Sequence, residues 1–176
     1  MSQEKTAPEA IETGIAHASF TLEREFAAPV EHVFAAFSNP TRKRQWFVTD
    51  LRGGMQVLDY SLEFAVGGRE RTCLLTAADS PLRGAELTNE TVYMDIVENE
   101  RIVMAYTMAA GSYRFSASLA SFALHTTAQG GTRLIFHEQS AFFANSDGVE
   151  HRREGWTRIL DTLTDEVNRT ASQVQG

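Results

Sequence analysis

With 176 residues, 43% of them hydrophobic and 22% charged, the chain is long enough for one good hydrophobic core and too short for two. A formal net charge of −7 lacks the basic balance that neutralises phosphates, so nucleic acid is not expected as a partner. The single cysteine, Cys73, excludes an internal disulfide. No apolar run approaches the roughly 18 residues of a membrane span, and the polar start MSQEKTAPEAIETG lacks a signal peptide's apolar region, so a cytoplasmic protein without membrane insertion is expected.

Residues 1–16 carry few large apolar groups and include Pro8 and Gly14, which reads as a flexible tail ahead of a single domain over 17–172. From His17 to Phe26, Phe20 and Leu22 alternate with Thr21, Glu23 and Glu25, the period of a strand. After Pro29, residues Val30, Val33, Phe34 and Phe37 recur at helical spacing up to Ser38. Asn39-Pro40 then forms an N-cap and first-turn pair for a second short helix reaching Trp46, on which Arg42, Lys43 and Arg44 read as a solvated face.

Strands and turns follow as far as Ser140. Val57–Val66 and Arg69–Thr76 flank Gly67-Gly68; Asp79-Ser80-Pro81 with Gly84 marks a turn. Leu87–Val97 and Ile102–Met108 flank Glu98–Arg101 as a hairpin, and Phe115–Thr127 turns through Gln129-Gly130-Gly131 into Thr132–Ser140. Short connections make these strands antiparallel neighbours. Asp147 and Glu150 stand in capping-box register. Beyond them Val149, Trp156, Ile159, Leu160, Leu163 and Val167 form the apolar stripe of a long helix over about 148–170, with Arg152, Arg153, Arg158, Asp161, Asp165 and Glu166 on the rest of its surface. Only the sheet is large enough to cover that stripe.

Strand, two short helices, antiparallel strands and long helix is the order of the helix-grip (START-like, SRPBCC) fold, an α+β architecture with a curved sheet of six to seven strands. FTLEREFAAPVEHVFAAFSNPTRKRQWF (20–47), LEFAVGGRERT (62–72), YMDIVENERIVMAYTM (93–108), GTRLIFHEQSAFF (131–143) and GVEHRREGWTRILDTLTDEV (148–167) resemble one branch of it. That branch is the bacterial proteins named for the C-terminal domain of the heat-shock protein 90 ATPase activator. The resemblance covers nearly everything after residue 17. It implies the fold far more specifically than a function, since the superfamily includes lipid and hormone binders, polyketide cyclases and many proteins without an assigned role. The eukaryotic activator carries a separate chaperone-binding domain, for which 176 residues leave no room. Relatives often have aromatic residues after the Gly-Gly pair, where this chain has Glu70 and Thr72.

One parity of each strand should face the long helix. The more apolar parity offers Phe64 with Val66, Met94 with Ile96, Met104 with Tyr106, and Phe122 and Phe136, opposite Trp156 and Leu160, with Trp46 near one end. Pockets in this fold lie between sheet and helix, so the expected partner is a small apolar or amphipathic molecule. The candidate contacts are Trp46, Phe64, Glu70, Thr72, Met94, Met104, Tyr106, Phe122, Phe136, Glu138, Trp156 and Leu160. Glu70 and Glu138 share the inward parity. Either they sit in water at strand ends, or Glu138 anchors a hydroxyl or amine of the ligand.

Motifs for other chemistry are missing from the sequence. His137-Glu138 has no second histidine at helical spacing, no phosphate loop or nucleophile elbow occurs, and Cys73 falls on the outward parity with Arg69 and Arg71. No cofactor or metal is expected. The leading expectation is a binding module rather than an enzyme. A cyclase- or hydrolase-like enzyme using Glu138, His137 or Tyr106, and a chaperone-associated interaction protein, are the alternatives. A homodimer is common at this size, and an exposed strand would supply its contact.

Overall fold

The computed structural model describes residues 14–48, 55–78 and 84–174; the tail expected over 1–16, apart from its last three residues, and the turn at Asp79-Ser80-Pro81 lie outside them. Strand β1 (Ala16–Phe26) leads into helices α1 (Val30–Ser38) and α2 (Pro40–Phe47). Strands β2 (Gln56–Leu62), β3 (Arg69–Leu75), β4 (Glu86–Val97), β5 (Arg101–Ala110), β6 (Tyr113–Thr126) and β7 (Thr132–Phe142) follow, and helix α3 (Gly148–Val174) ends the fold. The seven strands form one antiparallel sheet in the order β1-β7-β6-β5-β4-β3-β2. Five of the six junctions join strands consecutive in the chain. The first strand closes onto the last, which is why α1 and α2 can bridge from one end of the sheet to the other.

Local chemistry accounts for the helix boundaries. Asn39 Oδ1 accepts from the Thr41 and Arg42 amides at 3.0 and 3.1 Å, and Pro40 begins α2 where its missing N–H costs nothing. The Asp147 carboxylate engages the Arg152 guanidinium at 2.9 Å on both oxygens, so its bonds serve a side chain rather than the capping box expected of it.

The core lies between the concave face of the sheet and the helices. Phe37, Phe122, Phe136 and Trp156 stack through it with ring centroids 4.4 to 5.8 Å apart, and Leu160, Leu163 and Val167 have no solvent exposure. Helix α3 has α2, α1, β1 and β7 as its close backbone neighbours. Its N-terminal half therefore stands away from β3, β4 and β5, and the chain's candidate site occupies that gap.

Two facings assigned from strand alternation, and the exposure of one outward-facing thiol, are corrected. Met94 is 54% exposed, because a bulge between Tyr93 and Asp95 shifts the parity of β4: Tyr93 turns inward before it and Ile96 after it. Val66 is also exposed, since β2 ends at Leu62 and the chain turns through Gly67-Gly68. Cys73 is buried, held in register between Asp59 and Thr88, with the Thr88 hydroxyl 3.8 Å from its sulfur.

Candidate functional site

The register of the sheet places two cross-strand rows of side chains beneath α3. One row runs Glu70, Thr91, Tyr106, Ser118, Ser140 across β3 to β7, and all five are buried. The next runs Thr72, Asn89, Met108, Ser116, Phe142. A sheet interior is ordinarily aliphatic along such rows; here the concave floor is largely polar.

Beside Tyr106, Ser118 and Ser140 of the first row lies a buried ion pair, whose carboxylate comes from Glu138, opposite Ala120 in the neighbouring row. Glu138, with no exposure, accepts from Tyr106 at 2.6 Å, Ser140 at 2.6 Å and Ser118 at 3.3 Å, and its Oε1 lies 3.3 Å from Arg152 Nη1. Arg152 reaches down from α3 and also donates to Ser116, Tyr106, Ser118 and Asp147. Burial works against the Arg152 charge, and Tyr106, Asp147 and Glu138 more than offset it, so the guanidinium is held firmly protonated. The Tyr106 hydroxyl donates to Glu138 and accepts from Trp156 Nε1 at 3.1 Å. Burial, with the Glu138 charge adding to it, pushes the Tyr106 phenol well above its usual range.

A second buried cluster surrounds Glu70. Tyr60 and Tyr93 donate to its two oxygens at 2.9 and 2.7 Å, and Lys43 Nζ lies 3.5 Å away. Lys43 is 1% exposed and sits over the Trp46 and Phe47 rings at 4.4 and 4.3 Å, a cation–π arrangement. The basic cluster on α2 is thus no solvated face: Lys43 is buried, and Arg42 clasps Glu166 of α3 with bonds of 2.7 and 2.9 Å. Neither Glu70 nor Glu138 lies in water at a strand end.

Between this floor and α3 is a cavity of about 230 Å³. Trp46, Phe47, Tyr106 and Trp156 form its inner wall, and Leu74, Leu87, Met108 and Ile159 its apolar sides. His151, Arg158 and Asp161, all exposed, ring its mouth. A sealed, dry void of that size would cost on the order of 5 kcal/mol, so an opening to solvent or to an occupant belongs to the design. Two features of the lining stand out. Thr72 is 4% exposed, and its Oγ1 is, among the described residues, the buried side-chain oxygen without a hydrogen-bond partner. Gly155 lies inside α3, yet a Cβ built on it meets nothing within 4 Å.

Of the residues expected at the site, Trp46, Thr72, Tyr106 and Trp156 line this cavity. Met104, Phe122, Phe136 and Leu160 are packed into the core beside it, at most 2% exposed. Phe64 packs edge-on against Phe34 and Tyr93, Met94 faces solvent, and Glu70 and Glu138 lie behind the lining with their oxygens engaged. His137 turns to the opposite face of β7 from Glu138 and bonds Thr21, so the two cannot share a substrate or a metal. Arg152 and Lys43 are not found by equating charge with exposure, since both are buried. Spacing carried a signal, since Arg152 lies four residues before Trp156, and Lys43 three and four before Trp46 and Phe47, on the same helix faces.

The family model described as Activator of Hsp90 ATPase homolog 1-like protein matches residues 27–168. An uncharacterized protein from Rhizobium leguminosarum shares 39% identity, with 88% of this chain and 97% of that chain covered and a TM-score of 0.77. A Rhizobium loti protein shares 35%, covering 86% and 98%, with a TM-score of 0.74. A protein from the dynemicin biosynthetic locus shares 17%, with coverage of 85% and 47% and a TM-score of 0.57, a likeness of fold alone. No curated protein matches the sequence.

Proposed function

We propose that this chain, which belongs to the Activator of Hsp90 ATPase homolog 1-like family of helix-grip (SRPBCC) proteins, binds a small hydrophobic or amphipathic molecule in the gap between β3–β5 and α3. The observation that carries this reading is the cavity itself, about 230 Å³ with aromatic and aliphatic walls and a mouth among exposed residues. That volume is a little under the roughly 300–1,000 Å³ of drug-sized sites, so a compact ligand is called for. Apolar walls with one or two polar groups are the usual composition of such sites.

Binding is favoured over catalysis by the state of the acid–base groups. A general acid or base needs a proton position that a substrate can reach. Glu138 and the Tyr106 hydroxyl are fully engaged with one another and with Arg152, Trp156 and two serines, and the surroundings hold Tyr106 in its protonated form. They read as the rigid floor of a receptor.

The chain's two tryptophans both line the cavity, so intrinsic fluorescence reports directly on its contents. Titration with a compact lipophilic probe should give a saturable change in emission, and native mass spectrometry should show a one-to-one complex releasing the probe chemically unchanged. Emission that does not respond at any probe concentration would count against the reading. Conversion of the probe would favour the enzyme.

A further inference from the structure

The deep polar groups of the cavity differ in one respect: whether their hydrogen-bonding capacity is already spent. Arg152 has five N–H donors, and Ser116, Ser118, Tyr106, Glu138 and both oxygens of Asp147 account for them. Tyr106 donates to Glu138 and accepts from both Arg152 and Trp156. These groups have nothing left for a ligand. Thr72 and Asn89 do. They are direct cross-strand partners on β3 and β4 and both line the cavity. The Thr72 hydroxyl is buried and unpartnered, an arrangement that is unfavourable unless something supplies the missing bond. Asn89 Oδ1 accepts from Thr91 Oγ1 at 2.9 Å, which leaves its Nδ2 donors for whatever enters.

Charge points the same way. Among the described residues the one buried cation lining the cavity is Arg152, matched by two carboxylates, Glu138 at 3.3 Å and Asp147 at 2.9 Å. Arg158 and His151 are exposed at the mouth, near Asp161, where water screens them. Among the described residues, an anionic head carried to the floor of this cavity would meet no uncommitted positive charge.

We infer that the cavity selects a neutral amphiphile bearing a carbonyl or hydroxyl oxygen, and that Thr72 Oγ1 and Asn89 Nδ2 read that oxygen while the hydrocarbon lies against Leu74, Leu87, Met108 and Trp156. This rests on the cavity being a binding site, and adds to it the class of molecule and the two residues that discriminate. Thr72 thereby separates ligands by head group, and the aromatic wall accepts their tails without distinction.

A matched set of probes tests it: the ketone 4-phenylbutan-2-one, the hydrocarbon butylbenzene and the acid 4-phenylbutyrate, titrated against tryptophan emission and by calorimetry. Wild type should bind the ketone at least tenfold more tightly than the carboxylate. Thr72→Val keeps the shape and removes the hydroxyl. It should weaken the ketone about fivefold and leave butylbenzene unchanged or tighter, while the thermal midpoint of the free protein holds or rises. Asn89→Leu should weaken the ketone in the same sense. A preference for the carboxylate, or a Thr72→Val change that is equal for ketone and hydrocarbon, overturns the head-group assignment and leaves the cavity standing. Silence from all three probes overturns both.

Discussion

Arg152 Nη1 lies 3.3 Å from Glu138 Oε1, with the two side chains 5% and 0% exposed, so the end of α3 is fastened to the middle of β7 by an ion pair that water does not reach. Removing one partner of such a pair strands the other. Arg152→Met should therefore cost about 3–5 kcal/mol in urea unfolding. Replacing both charges, as Glu138→Leu with Arg152→Met, should cost clearly less than the sum of the two single changes. Additive losses would mean that the pair is not coupled.

The Lys43–Glu70 cluster predicts a pH signature. Burial, opposed by Glu70, holds Lys43 below its ordinary 10.5. From that lowered value up to pH 10.5 the unfolded chain binds a proton that the folded chain does not, so folding becomes more favourable as pH rises. The penalty is fully present below the lowered value. Wild type should accordingly gain stability relative to Lys43→Met as pH rises through this window; a constant difference between them would contradict the burial of a titrating lysine.

Tyr60 and Tyr93 act in the opposite sense. Burial first, and the Glu70 charge second, raises both phenols far above 10.0. Above about pH 10 the unfolded chain releases protons that the folded chain retains, so stability falls. Urea midpoints should drop steeply between about pH 10 and 11, with tyrosinate absorbance appearing only as the protein unfolds. Tyrosinate forming in the folded state would place these hydroxyls in solvent.

Two glycines mark where the backbone is tight. A Cβ on Gly131 would sit 2.3 Å from the Phe26 carbonyl oxygen, and one on Gly68 would sit 2.3 Å from that of Glu63. Both contacts are with backbone, which cannot rotate aside. Gly131→Ala and Gly68→Ala should each destabilise by about 1–3 kcal/mol in denaturant titration. An alanine tolerated at both sites would mean that these turns are looser than the contacts describe.

The helix-grip order could be read from the chain because periodicity survives wherever elements are regular. Asn39-Pro40, Gly130-Gly131 and the stripe from Trp156 to Val167 each announce their element, and all three elements stand where they were expected. The site was less legible. Tyr106 follows from strand alternation and Trp156 from helical spacing, but the bulge at Met94 changes the facing of β4 without any glycine or proline to mark it. Arg152 and Lys43 are hidden for another reason. Composition counts them as surface, and only the three-dimensional coincidence of Glu138 and Glu70 beneath them makes burial affordable.

The cavity is the central claim, and Gly155 tests it most directly. A glycine inside α3 gives up about 1 kcal/mol of helix propensity, and the space its missing side chain would fill is the cavity. Gly155→Leu should raise the thermal midpoint by a few degrees, since it restores propensity and fills apolar space. In the same variant, the saturable tryptophan response to 4-phenylbutan-2-one should weaken at least tenfold. A variant that is more stable and no longer binds is the predicted result. One that binds the probe as tightly as wild type would place the ligand elsewhere and contradict the account.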